Sequence, residues 1–182
     1  MADRRYHWKR VLGCAWRGCA VVLVIAVAAV AAPAWQAARA AEPIALAVAA
    51  FDFVDTSGEV KVQTADHARR LAALDQTLAN TLAEESRLQI IVLDCSSTCS
   101  AGTVGVERLA QQAVQSGASH LLIGQVRKMS TLIGGVKFAV IDLGTNSATC
   151  DRFLSYRGDT DEAWSRAAAY AARNVVSHCL PN

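Results

Sequence analysis

The sequence predicts one mixed α/β domain, α+β in its later half, with element order β-α-β-α-β-β-β-α and a mixed five-stranded sheet covered in two or three layers. Three observations predict it. Short apolar runs rich in Val, Ile and Phe recur five times. Two segments with apolar residues at helical spacing separate the first three runs, whereas only short turns separate the last three. A final helical segment closes the chain.

The first run, "PIALAVAAFDFV" from Pro43 to Val54, alternates apolar residues with alanine and reads as a buried strand. After the polar turn "DTSGE", a helix is predicted from about Ala65 to Ser86, because Leu71, Leu74, Leu78 and Leu82 form one stripe. "RLQIIVLD" is the second strand and "DCSSTCSAG" a loop. Thr103 to Ser116 carries Val106, Leu109, Ala113 and Val114 on one helical face, and Gly117 supplies a left-handed stop. "ASHLLIGQVRKM" is the third strand. Strand-helix-strand-helix-strand implies three parallel strands joined by right-handed crossovers. "GVKFAVIDLG" and "ATCDRFLSYRG", joined by "TNS", continue the sheet as an antiparallel meander. The last helix runs from about Thr160 to Cys179, with Trp164, Ala168, Ala171, Val175 and Cys179 on one stripe.

Residues 1–40 stand apart from this domain. Arg4, Arg5, Lys9, Arg10 and Arg17 precede or flank the apolar run Ala20–Ala32, and "ARA" ends at Ala40, so a cleaved signal peptide with its cut near Ala40/Ala41 is expected. The apolar run is shorter than the ~20 residues a spanning helix needs, which predicts no membrane span after cleavage. The predicted domain, 41–182, is thereby periplasmic or secreted. The whole chain carries +2, but residues 41–182 hold 12 basic and 15 acidic side chains, a net of −3. That balance argues against nucleic acid as a partner.

Four cysteines remain after the leader: Cys95, Cys99, Cys150 and Cys179. An even number in an exported chain predicts disulfides. Cys150 on the fifth strand and Cys179 on the buried stripe of the helix above it are expected to pair. Cys95 and Cys99 are expected to form a local structural bond; the alternative is a thiol-redox or copper-handling pair.

"RGDTDEAW", residues 157–164, permits an adhesion tripeptide, an acidic metal site or a helix start. Asp159 followed by Glu162 three residues later fits a capping box, with Asp161 favoured in the first turn by the helix dipole. The helix start is preferred, because capping acids spend their oxygens on backbone amides. His67, His120 and His178 share no metal-ligand spacing, and no nucleophile or phosphate-loop motif occurs. No catalytic, cofactor or metal site is therefore predicted. Met129, Leu132 and Ile133 are unexpected at a hairpin turn and mark a candidate partner surface. Asp52, Asp55, Ser57 and Asp94, near the carboxyl ends of parallel strands, mark a candidate ligand cleft.

"FDFVDTSGE", "GASHLLIGQVRKMSTLI" and "YRGDTDEAWSR", together with the "CSSTC" loop, resemble a family of small exported bacterial proteins that is a domain of unknown function. Its patterns are similar to "F-x-x-x-D-T-S", "G-A-x-x-x-x-x-G-x-V-x-K-x-S-x-L-I" and "R-G-x-T-D-E-x-W". The three residues between Cys95 and Cys99 depart from the family's two. More distantly, the element order resembles the α/β modules of the Tol-system propeller protein and the curli secretion lipoprotein. The resemblance transfers no activity. It implies a non-enzymatic module that binds another periplasmic or envelope protein.

Overall fold

The structure, a computed structural model, describes residues 42–93, 95 and 98–181. The leader and its cut lie outside the described residues, as does Asp94 of the candidate cleft. The elements are β1 (Ile44–Val48), β2 (Asp52–Asp55), α1 (Thr64–Ala83), β3 (Leu88–Val92), α2 (Ala101–Val104), α3 (Val106–Gln115), β4 (His120–Lys128), β5 (Ile133–Asp142), β6 (Ser147–Arg157) and α4 (Asp161–His178).

The sheet is mixed, in the order β3-β1-β4-β5-β6, with β2 also paired to β4. β1 is parallel to both β3 and β4, and β4, β5 and β6 form the antiparallel meander. Two expectations need correction. The first predicted strand is two, because Ala49, Ala50 and Phe51 oppose only Ile123 and Gly124 between the flanking pairs Val48↔Leu122 and Asp52↔Gln125. The extra residue acts as a bulge. The Ala50 and Phe51 amides leave the β4 ladder, donating to the Cys99 carbonyl at 2.9 Å and to Asp75 Oδ1 at 3.2 Å. The second predicted helix is also two, since Gly105 takes φ 89°, outside the helical range and open to glycine at little cost.

The two faces of the sheet are covered unequally. α1 and α4 pack together over one face, where Leu74, Leu78, Leu82, Trp164, Ala168, Ala171 and Val175 meet Leu122, Val136, Phe138 and Val140. On the other face α3 covers the β1 and β4 region through Leu109 and Ala113 against Ala47 and Leu121. The domain thus has three layers on its parallel side. The predicted stripes face the core: Leu74, Leu78 and Leu82 on α1 are buried and Leu71 half-buried, and Trp164, Ala168, Ala171, Val175 and Cys179 are all buried. Among the described residues no helix is long and apolar enough to cross a membrane.

Candidate functional site: a charge cluster beneath an apolar end

The end of the sheet where β2 and β4 finish and β5 begins is held by buried charge. Lys128, the last residue of β4, has a side chain only 3% exposed. Its Nζ donates to Glu59 Oε2 at 2.6 Å and to Asp159 Oδ2 at 3.0 Å. Asp159 is the centre. Its Oδ2 also accepts from His67 Nε2 at 3.0 Å, and its Oδ1 accepts from Arg70 Nη1 at 2.9 Å and from Trp164 Nε1 at 3.0 Å. Four donors from α1, β4 and α4 therefore converge on one carboxylate, and an acceptor-only group in that position obliges His67 to carry its hydrogen on Nε2.

The local backbone makes this convergence possible. Gly158, at φ 93°, turns the chain out of β6 and donates its amide to the Leu132 carbonyl at 2.9 Å. The turn aims Asp159 inward beneath the helix. The rings of Phe53, His67 and Trp164 pack together at centroid separations of 4.8 to 6.0 Å, His67 and Trp164 stacked and Phe53 tilted against both. Burial acts to raise the Asp159 carboxyl, but the hydrogen bonds from His67, Lys128 and Trp164, with the Lys128 charge, outweigh it and hold it at about 2. Burial likewise acts to lower the Lys128 ammonium, and its bonds to Glu59 and Asp159 raise it instead. Both groups are charged at neutral pH. An outer shell continues through Asp161, held at about 2 by hydrogen bonds from Arg69 and Arg70.

The capping expectation for Asp159 and Glu162 is corrected by this geometry. Thr160 is the N-cap of α4, its hydroxyl accepting from the Ala163 amide at 3.2 Å. Asp159 cannot cap, because its oxygens are spent on side chains. Glu162 is exposed and pairs with Arg166 one turn on. Of the candidate cleft, Asp52 stands apart from Asp55 and Ser57. Asp52 and Asp55 are three apart on β2 and so point to opposite faces. Asp52 accepts from Ser100 Oγ at 2.6 Å and the Gly102 amide at 2.7 Å, while Asp55 holds Ser57 in a local turn.

Around the cluster the surface is unusually apolar. The loop between β2 and α1 exposes Val60 at 98% and Val62 at 87%, and the β4–β5 hairpin exposes Leu132 at 67%. Met129 and Ile133 are half-buried. The two segments share one end of the sheet, because the Thr56 amide and hydroxyl both reach the Lys128 carbonyl, at 2.8 and 3.0 Å, and Glu59 binds the Lys128 ammonium. The sequence signalled Leu132 through its place in a turn. Val60 and Val62 were visible as two valines in a polar loop, but His67, Arg70 and Glu59 carried no motif that spacing alone could reveal.

The cysteines pair as Cys95 with Cys99 and Cys150 with Cys179. Cys179 is buried under α4 against the sheet, and Cys95 and Cys99 are half-buried at a loop.

No curated protein matches the chain. Solved structures are similar in fold at low identity. The hypothetical protein CT253 from Chlamydia trachomatis matches with TM-score 0.52 and 10% identity, covering 77% of this chain and 99% of that one. Lipoprotein GNA1162 from Neisseria meningitidis gives TM-score 0.48 and 13% identity over 76% and 100%. TolB from Acinetobacter baumannii gives 0.46 and 10% over 75% and 29%. The family comparison is decisive in a way these likenesses are not: over residues 44–176, nearly the whole described domain, the chain belongs to the DUF3280 family, described as "Protein of unknown function (DUF2380)".

Proposed function

We propose that this protein is a non-enzymatic accessory module of the bacterial envelope, and that it docks another exported protein through its apolar end. Three exposed side chains carry this reading: Val60, Val62 and Leu132 stand in solvent on segments that a buried ion cluster holds in place. Apolar loop tips normally fold inward or give way to polar residues; here their anchors are fixed and their side chains point out. A rigid apolar platform binds with little ordering cost, which favours recognition of a folded partner. Two disulfides support an oxidising compartment.

Changing Val60, Val62 and Leu132 together to serine tests the reading. The expected outcome is loss of a partner recovered from envelope extract, with the urea unfolding free energy within about 0.5 kcal/mol of the parent, as for surface substitutions in general. An unchanged set of recovered proteins contradicts it.

A further inference from the structure

A second feature lies away from the apolar end. At the carboxyl ends of β1 and β3, beside α1, a groove of about 560 Å³ is walled by Val48, Ala49, Ile90 and Leu93, with Cys95 and Cys99 among its lining residues. Among its described lining residues Asp75 is the one titratable side chain. The Asp75 carboxyl and the Cys99 carbonyl accept from consecutive amides, those of Phe51 and Ala50, so carboxyl and disulfide loop flank the same strand break.

We infer that Cys95–Cys99 is an exchangeable disulfide, opened by a protein dithiol that enters this groove, with Asp75 carrying the proton taken up by the departing sulfur. Three further observations support it. The two disulfides differ in access at one end: Cys95 and Cys99 are both half-exposed at the groove, whereas of the other pair Cys150 is half-buried and Cys179 is buried in the core. An acceptor already stands beside each sulfur: Gln112 Oε1 is 3.3 Å from Cys95 Sγ, and the Leu93 carbonyl is 3.5 Å from Cys99 Sγ. Once the bond opens and the sulfurs separate, each thiol has an acceptor close by. The loop is also anchored independently of the bond, by Ser100 and Gly102 on Asp52.

Burial pushes the Asp75 carboxyl up to about 7, Asp52 adding to the shift and the Phe51 amide opposing it. A group balanced near neutrality suits proton transfer. In the forward step one thiol of the dithiol, as thiolate, attacks one cysteine sulfur. A new S–S bond forms, the Cys95–Cys99 bond breaks, and its electron pair remains on the departing sulfur, which takes the Asp75 proton. The second thiol then attacks the mixed disulfide and frees the other cysteine. Two electrons and the two thiol protons pass to Cys95 and Cys99, the dithiol leaves as a disulfide, and Asp75 regains the proton shed by the first thiol.

Dithiothreitol, with alkylation and mass spectrometry of each cysteine, tests this on the protein purified from the envelope. Cys95–Cys99 is expected to open at least ~100-fold faster than Cys150–Cys179. Its rate per thiolate is expected to fall through an inflection near pH 7, and Asp75→Asn, which keeps an acceptor for the Phe51 amide, to remove that inflection and slow opening about tenfold near pH 6. Equal opening of both bonds, or an inflection that survives in the variant, overturns the proposal. Should the variant not fold, absence of the inflection in the parent protein overturns it as well.

Discussion

Lys128 Nζ lies 3.0 Å from Asp159 Oδ2, joining the last residue of a central strand to the first turn before the final helix. Both groups are buried, the lysine side chain 3% exposed and the aspartate 14%, and each has one further charged partner, Glu59 for the lysine and Arg70 for the aspartate. Removing one member leaves the other buried with only part of its compensation. Asp159→Asn is therefore expected to cost about 3 kcal/mol in urea unfolding, and Lys128→Ala a similar amount. The double substitution is expected to cost clearly less than their sum, since the two residues share one network.

Acid unfolding follows from the same carboxylate. The Asp159 pKa is held at about 2, below its unfolded value near 3.9, so its contribution is complete above about pH 4 and is lost as pH falls toward 2. Asp75 works in the opposite sense. Its native pKa is raised to about 7, so the native state holds a proton that the unfolded chain has released, and stability declines as pH rises from about 4 to about 7. Unfolding free energies measured from pH 2 to 8 are expected to show a smaller acid arm in Asp159→Asn and to lose the neutral decline in Asp75→Asn.

Thr160, and not Asp159, satisfies the first amides of α4. Thr160→Ala is expected to destabilise by about 1 kcal/mol in thermal or urea unfolding. Glu162→Ala is expected to change stability by less than about 0.5 kcal/mol, as an exposed i,i+4 partner of Arg166. A larger effect at Glu162 than at Thr160 would restore the capping box.

The Cys150–Cys179 bond closes the chain from β6 to the end of α4, a separation of 29 residues. Replacing both cysteines by serine is expected to cost about 3 kcal/mol, read from the unfolding midpoint under oxidising conditions.

Much of the fold was legible because it rests on periodicity. The leucine stripe of α1, the Trp164-to-Cys179 stripe of α4 and the strand-helix alternation all emerged from spacing that local geometry enforces. The strand break at Ala49–Phe51 was not legible, since the groups that take the Ala50 and Phe51 amides, the Cys99 carbonyl and the Asp75 carboxyl, are distant in sequence. The cluster was hidden for the same reason. Asp159 meets His67 across 92 residues and Lys128 from another strand, and nothing in "RGDTDEAW" distinguishes an aspartate that caps from one that gathers four donors. Leu132 was readable because an apolar residue in a turn is conspicuous alone; that Val60 and Val62 share its end of the molecule required the bonds that tie residues 56 and 59 to Lys128.

The apolar end, braced by Asp159 and Lys128, is the proposed docking place for a partner. Photocrosslinking residues placed singly at Val62, at Leu132 and at Asn146, which lies in the turn at the opposite end of β5 and β6, test it most directly in intact envelopes. The account predicts one common partner adduct from Val62 and Leu132 and none from Asn146. Adducts of equal yield from all three positions, or none from Val62 and Leu132, would contradict it.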